Sequence, residues 1–323
     1  MSRTKRPPDE GRLLQLVYYG YVAFSAIARA LPEKISYGLA MWLGGVGARR
    51  SKRRSVVAQN IGRIVGEPPE SERVQSLVDK AYRSYARYWL ETFAHVRESK
   101  EFFLERFICP TQHNIDEVLA RGKGAIVAVG HLGNWDAAGA WVGARGNLLV
   151  TVAEVLRPRR MFDFFVRHRE SLGMRIIPAA PGATDRLAQA VEEGAVVAIL
   201  GDRDLKNRGP VVDFCGEPAH LPPGPAVVAL RTGVPLLVGG VFSIILPDGR
   251  RGWEAVISEP IELPDAPDDQ AVAILTQKVA DMLGDFVKQR PEEWHVFQPF
   301  WKADRDREEA RREDAAPIER DSN

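Results

Sequence analysis

The chain has 323 residues, of which 45% are hydrophobic and 27% are charged, so it can bury one large hydrophobic core or two smaller ones. Its 44 basic and 43 acidic residues give a net charge of +1, and these values exclude a disordered chain and a uniformly basic nucleic-acid-binding protein. The two cysteines, Cys109 and Cys215, lack the spacing of a metal site, so we expect reduced core residues in a cytosolic environment.

Residues 1–54 predict an N-terminal membrane-anchoring segment. It contains two apolar stretches, 13–28 and 35–46, and the second is followed by a run of basic residues over 49–54. Each stretch is shorter than the roughly 20 residues that a membrane-spanning helix needs. Two short apolar helices beside a basic cluster are typical of a segment that lies on an anionic membrane surface. The alternative is that both helices pack on the rest of the protein and the basic run is solvated.

Residues 55–302 predict an α/β domain, because a helical segment is followed by alternating strands and helices, a pattern typical of a mostly parallel sheet flanked by helices. The predicted strands cover 124–130, 148–153, 174–178, 195–200, 235–246 and 253–258. The predicted helices of the alternating part cover 113–121, 134–145, 159–172, 183–193, 223–232 and 268–289. The tail 303–323 has eight acidic and five basic residues and almost no apolar ones, which predicts disorder.

The motif Gly-His-Leu-Gly-Asn-Trp-Asp at 130–136 is the strongest indication of a catalytic site. It places His131 directly after a buried strand, Asn134 at the expected N-cap of the next helix, and Asp136 in the first turn of that helix. A histidine at the end of a strand can act as a general base when a carboxylate fixes its tautomer. We therefore predict that Asp136 pairs with His131. The alternative is structural, with His131 partly buried in a turn and Asp136 complementing the helix dipole.

Polar residues also follow two other predicted strands. Glu154 follows the second strand, where it either joins His131 or pairs with Arg157 on the surface. An inward-facing arginine of the next helix, in the segment that contains Arg169, could fix Glu154 or contact a substrate oxygen. Asp202 and Asp204 follow the fourth strand, and they could orient a substrate, support a base, bind a cation or form ion pairs.

Taken together, these motifs resemble those of the late lipid A acyltransferase family. The resemblance spans residues 12–302 and rests on His-x4-Asp at 131–136, the segment 157–173, Asp-Arg-Asp at 202–204, Phe-Cys-Gly-Glu-Pro-Ala at 214–219 and Pro-Glu-Glu-Trp at 291–294. The wording of several motifs is most similar to the actinomycete branch, the phosphatidylinositol mannoside acyltransferases. The resemblance implies a glycerolipid acyltransferase-like α/β core with N-terminal membrane-associating helices.

The resemblance also implies roles for the site residues. His131 would be the general base for a sugar hydroxyl, and Asp136 would orient and polarise it. Either Asp202 or Asp204 would be the third member, although a family glutamate is absent there. The other polar residues would bind substrate: Asn134, Glu154, Arg157 and Arg169. Donors for the tetrahedral oxyanion would be backbone amides near the helix that starts at Asn134, or Arg169.

The implied reaction moves a fatty acyl group, usually palmitoyl, from acyl-CoA to the 6-hydroxyl of the mannose on the inositol 2-position of a phosphatidylinositol mannoside. It needs no metal or redox cofactor. The expected partners are the membrane lipid surface, acyl-CoA and the mannoside acceptor, and no nucleic acid. The expected location is the cytoplasmic face of the inner membrane, with peripheral or monotopic attachment.

Three alternatives stay open from the sequence. A lipid A precursor could be the acceptor in place of the mannoside. The chain could instead be a non-catalytic lipid-binding protein that uses the anchor and a groove. A metal-dependent phosphoesterase would use a different set of ligands: His131, Asp136, Asp202, Asp204 and His220.

Overall fold

The computed structural model describes the backbone of residues 12–204 and 207–314 and the side chains of residues 15–204 and 207–311. Helices make up most of the regular structure in these ranges: α1 (Arg12–Ala30), α2 (Glu33–Arg50), α3 (Arg54–Val65), α4 (Glu72–Ala94), α5 (Lys100–Arg106), α6 (Gln112–Ala120), α7 (Trp135–Ala144), α8 (Arg159–Ser171), α9 (Ala183–Glu192), α10 (Gly224–Thr232), α11 (Asp268–Gln289) and α12 (Lys302–Asp314). A short 3-10 helix covers Pro291–Glu293.

In the described part of the chain, seven strands form the central sheet, and two more form a separate hairpin. The strands are β1 (Phe107–Ile108), β2 (Ala125–Val129), β3 (Leu149–Ala153), β4 (Met174–Pro178), β5 (Val196–Leu200), β6 (Val211–Phe214), β7 (Glu217–His220), β8 (Leu236–Ile245) and β9 (Arg251–Ile257). The order across the sheet is β1-β9-β8-β2-β5-β3-β4, and β6 pairs with β7 in the hairpin. Every pair of neighbours in the sheet is parallel except β8 and β9.

Helices cover both faces of this sheet. The helices α6 and α7 pack on one face, and α9, α10 and α11 pack on the other. A strand that is covered on both faces has no solvated side, which explains why β5 reads Val-Val-Ala-Ile-Leu without a polar residue. The prediction of an α/β fold with a mostly parallel sheet flanked by helices is confirmed.

The C-terminal segment differs from the disorder predicted for 303–323, because its described part forms α12. Two charged side chains fix this helix to the rest of the protein. Asp304 forms an ion pair with Arg63, and Arg305 donates a hydrogen bond to the main-chain oxygen of Asp204. Residues 315–323 lie outside the described residues.

The helices α1 and α2 pack along α4. The Tyr37 hydroxyl donates a hydrogen bond of 2.9 Å to buried Glu91, and Phe24 packs edge-on against Phe93. The outward faces of both helices remain apolar, since Leu16 is 67% exposed and Trp42 is 61% exposed. No helix in the described part of the chain is long and apolar enough to cross a membrane. Residues 1–11 of the predicted anchor lie outside the described residues.

Candidate active site

The register of two central strands brings His131 and Asp202 together. The parallel strands β2 and β5 are paired so that Val129 lies opposite Leu200. His131 and Asp202 each follow two residues later, so both stand at the same carboxyl edge of the sheet. This edge is where open α/β sheets place their ligands.

Asp202 holds the His131 ring from one side. The Nδ1 atom of His131 lies 2.6 Å from Oδ1 of Asp202, while the His131 amide and Trp294 Nε1 donate to Oδ2 at 2.7 and 3.0 Å. Burial raises the pKa of Asp202, but its interactions with His131 outweigh burial and hold the pKa below the usual value. An ionised carboxylate only accepts hydrogen bonds, so Nδ1 of His131 carries a hydrogen, and Nε2 is the ring nitrogen that can accept one.

Asp136 has different partners, and this corrects the predicted pair between Asp136 and His131. Asp136 accepts hydrogen bonds from Arg169 Nε at 2.7 Å and from the Tyr88 hydroxyl at 3.0 Å. It lies in the first turn of α7 and faces α4 and α8, whereas the His131 ring turns toward the end of β5. Burial raises the pKa of Asp136, but the adjacent Arg169 charge outweighs burial and lowers the pKa. Asp136 therefore fixes Arg169 in the wall of the site.

The turn between β2 and α7 has strict local requirements. Asn134 is the predicted N-cap, since its Oδ1 accepts from the amide of Ala137 at 3.0 Å. Its Nδ2 donates to Glu91 at 2.8 Å, so the buried Asn134 amide supports the turn rather than a substrate. Gly133 has a φ of +60°, and a Cβ there would lie 2.2 Å from the main-chain oxygen of Val241. Only glycine fits this position.

The remaining predicted site residues either line the cavity that contains His131 or lie outside it. Glu154 is exposed at the end of β3 and lines the same cavity as His131. Arg157 is exposed and lies outside the cavity lining, and among the described residues no ion pair joins it to Glu154. Asp204 accepts hydrogen bonds from the amides of Arg208 and Gly209 at 2.7 and 2.6 Å, so it shapes its own loop. Of the two acids after β5, Asp202 is the one that contacts His131.

An apolar cavity of about 320 Å³ opens beside His131. It lies between α7 and the sheet, and on β2, β5 and β9 the lining residues alternate along the strand, as expected for one face of a sheet. On β5 the lining residues are Val196, Ala198 and Leu200. Trp141 and Val142 of α7 contribute to the opposite wall. A cavity of this kind can hold an aliphatic chain with its reactive end at His131.

Two lining residues were missed by sequence reasoning. His295, expected to belong to a packed closing segment, lines the cavity, and its amide donates to the His131 oxygen at 2.7 Å. Burial lowers the pKa of His295 to about 3, so this second imidazole is neutral. Arg203, which the sequence places between the two acids, has its Nη1 3.4 Å from Nε2 of His131. The sequence signal for His295 was its position directly after the Pro-Glu-Glu-Trp motif at 291–294. In the structure, Trp294 of that motif binds Asp202.

The ligand set of the phosphoesterase alternative does not converge. His220 Nδ1 bonds to the main-chain oxygen of Gly209 at 2.8 Å, on the hairpin β6–β7. The Asp136 carboxylate forms an ion pair with Arg169, and the Asp204 carboxylate accepts a hydrogen bond from a main-chain amide of its own loop. Within residues 15–204 and 207–311, whose side chains the structure describes, no group of three or more His, Cys, Asp or Glu side chains is placed to hold a metal ion.

Among solved structures, the chain is similar to the 1-acyl-sn-glycerophosphate acyltransferase PlsC of Thermotoga maritima. The TM-score is 0.36 and the identity 13%, and the match covers 73% of this chain and 97% of that one.

Comparison with curated proteins gives much stronger matches. The chain is 33% identical to the phosphatidylinositol mannoside acyltransferase of Mycobacterium tuberculosis, over 88% of this chain and 89% of that protein. It is also 33% identical to the protein of the same name from Mycolicibacterium smegmatis, over 94% of this chain and 96% of that protein. Residues 7–303 match the family described as bacterial lipid A biosynthesis acyltransferase. The chain therefore belongs to this family and is an acyltransferase.

Proposed function

We propose that the protein transfers a fatty acyl group, palmitoyl by preference, from acyl-CoA to a phosphatidylinositol mannoside. The acceptor atom is the 6-hydroxyl of the mannose on the inositol 2-position. The observation that carries the proposal is the His131–Asp202 pair at the mouth of an apolar cavity. The names of the two mycobacterial relatives support the choice of acceptor.

His131 acts as the general base in this proposal. Asp202 fixes the ring through Nδ1, so Nε2 is the ring nitrogen that takes the proton of the acceptor hydroxyl. The sugar oxygen then attacks the thioester carbon, and the C–S bond breaks when the tetrahedral intermediate collapses. The thiolate of CoA leaves without prior protonation because it is a weak base. No metal or redox cofactor takes part in any step.

The acceptor sugar is held by polar groups on the His131 side of the cavity. Arg169 and Asp136 form a fixed ion pair in the cavity wall, and Glu154 lies at the rim. A bidentate guanidinium and carboxylates are suited to the hydroxyls of a sugar ring. Donor and acceptor then approach His131 from different sides, with the acyl chain between α7 and the sheet.

The protein works at the cytoplasmic face of the inner membrane, as a peripheral protein. The exposed apolar residues of α1 and α2, such as Leu16 and Trp42, support this placement. The basic residues over 49–54 follow directly after α2, where they can meet anionic headgroups. Both substrates of the proposed reaction carry acyl chains, and the acceptor resides in the bilayer.

The test is incubation of purified protein with palmitoyl-CoA and a panel of glycolipids, including a phosphatidylinositol mannoside and a lipid A precursor, with products identified by mass spectrometry. We expect one added palmitoyl group on the mannoside. His131→Ala and Asp202→Asn should each lower kcat by about 10²- to 10⁴-fold. His113→Ala, at an exposed position on α6, is the matched control. Transfer only to the lipid A precursor, or full activity of His131→Ala, would contradict the proposal.

A further inference from the structure

Two arginines line the cavity beside His131, and their partners differ. Arg169 donates to Asp136 through Nε and Nη2, so its charge is balanced by a buried carboxylate. Arg203 has no carboxylate partner among the described residues, and its Nη2 donates to Gln298 at 3.1 Å. Its Nε is buried without a hydrogen-bond partner in the described structure. Arg203 therefore brings a positive charge and an unused donor into the wall of the site.

The position of Arg203 is set by the same turn that fixes the base. Asp202 binds Nδ1 of His131, and the next residue places a guanidinium Nη1 3.4 Å from Nε2. A guanidinium has five donors and no acceptor, and it does not lose its proton in proteins. Arg203 therefore cannot compete with His131 as a base, but it can donate to an oxygen that lies close to Nε2.

We propose that Arg203 is the donor that stabilises the oxyanion of the tetrahedral intermediate, an inference that rests on the proposed function. The acceptor hydroxyl gives its proton to Nε2 of His131, and its oxygen forms a bond to the thioester carbon. The π electrons of that carbonyl move onto its oxygen, which becomes negative and accepts hydrogen bonds from Arg203. When the C–O double bond re-forms, the C–S bond breaks and the thiolate takes the proton from His131.

The distances support this assignment. The attacking oxygen must lie about 2.8 Å from Nε2 to give up its proton, and the new oxyanion is on the carbon bonded to that oxygen. A donor 3.4 Å from Nε2 thus reaches the oxyanion by a small rotation of its side chain. Stabilisation by a charged donor acts only where charge develops, so it accelerates the reaction rather than tightening substrate binding.

Several of the other donors near His131 already have partners. Arg169 is bound to Asp136. At the start of α7, the amide of Gly133 donates to the main-chain oxygen of Glu293, and that of Ala137 donates to the Asn134 side chain. We therefore favour Arg203 over Arg169 and over the first amides of α7 as the donor to the oxyanion.

The test measures thiol release from palmitoyl-CoA, which reports chemistry with any acceptor, water included. Arg203→Gln should lower the single-turnover rate by about 100- to 1,000-fold, the loss expected for one oxyanion donor. Binding of a non-hydrolysable thioether analogue of palmitoyl-CoA should stay within about threefold, because the lost interaction forms only in the transition state. Guanidinium ion added to Arg203→Ala should restore part of the rate. Arg208→Gln, at an exposed position in the same loop, is the matched control.

Each other outcome overturns the inference. A full rate in Arg203→Gln, while His131→Ala is inactive, overturns the role of Arg203 and leaves the proposed function intact. A large loss of analogue binding at an unchanged rate would mean that Arg203 binds a CoA phosphate instead. Full activity of His131→Ala would contradict the proposed function and this inference together. Thermal melting of every variant identifies a loss of rate that comes from unfolding.

Discussion

Asp136 and Asp202 are two buried carboxylates in one site, and the cation that each faces decides what it can do. Asp136 faces Arg169, whose charge does not change at any physiological pH, so the pair is permanent. Asp202 faces His131, whose imidazole can both take and give a proton. A permanent pair gives shape to the site, whereas a pair with a titratable ring can take part in proton transfer.

Removal of one member of the permanent pair should destabilise the protein. In Asp136→Ala, Arg169 would remain buried without its counter-charge, and we expect the free energy of unfolding to fall by about 3–5 kcal/mol. Urea denaturation measures this difference. Asp163→Ala is the matched control, because Asp163 pairs with Arg159 on an exposed helical surface, where such pairs contribute about 1 kcal/mol or less. Equal losses in both variants would refute the structural role of Asp136.

The fall of the free energy of unfolding at acid pH gives a second test of the Asp136–Arg169 pair. The pKa of Asp136 is lower in the folded protein than the usual value of 3.8, so its contribution is present above that value. It is lost as the pH falls through the folded pKa, because protonation removes the charge that Arg169 binds. We therefore expect part of the acid destabilisation of the wild-type protein to be missing in Asp136→Ala. The same dependence of the free energy of unfolding on acid pH in the wild-type protein and in Asp136→Ala would contradict this.

At the scale of elements, the strands β2–β5, β8 and β9 and the helices α6–α11 could be predicted from sequence within one or two residues. The short strand β1 and the hairpin β6–β7 were not predicted. The order of the strands across the sheet could not be predicted either, because apolar strands such as β2 and β5 carry no sign of which neighbour each will pair with. The site depends on that order, since the β2–β5 register places Asp202 beside His131. Without it, the nearest carboxylate along the chain, Asp136, was the reasonable but wrong partner. The helix α12 was missed because its contacts, such as Asp304 with Arg63, are between charged groups far apart in sequence.

The lining of the cavity predicts control of acyl chain length by a single strand position. Ala198 is the smallest lining residue of β5, between Val196 and Leu200. In Ala198→Leu the added carbons would fill space that a long chain needs. Forcing both the added carbons and a long acyl chain into the cavity costs about 1–3 kcal/mol, which corresponds to a loss of rate with palmitoyl-CoA of about 5- to 150-fold.

The same variant should accept a shorter chain. We expect its rate with octanoyl-CoA to remain close to that of the wild-type protein, as measured by thiol release. Ala180→Leu, the same substitution at an exposed loop position, should leave both rates unchanged. Equal loss with long and short donors in Ala198→Leu would show that the cavity does not hold the acyl chain.

At the scale of the whole molecule, nine of the sixteen exposed large hydrophobic residues in the described part of the chain lie on α1 and α2. On α2, Leu39, Trp42 and Leu43 follow the i, i+3, i+4 spacing of one helical face, and each is at least 41% exposed. The inner side of α2 packs on α4, which also carries Tyr88 of the active site. Contact of this face with a bilayer would therefore bring the cavity close to the lipids that supply its substrates.

Loss of two of these side chains should weaken membrane binding strongly. A buried large apolar side chain contributes about 1.5–3 kcal/mol, so Trp42→Ser with Leu43→Ser should weaken binding to anionic vesicles about 100-fold or more. Vesicle flotation measures this, and high salt should weaken binding of the wild-type protein by screening the basic run over 49–54. Ile274→Ser, at an exposed position of α11 on the far side of the sheet, is the control. If the control and the double variant bind alike, α2 does not face the bilayer, and the acceptor must reach His131 by another route.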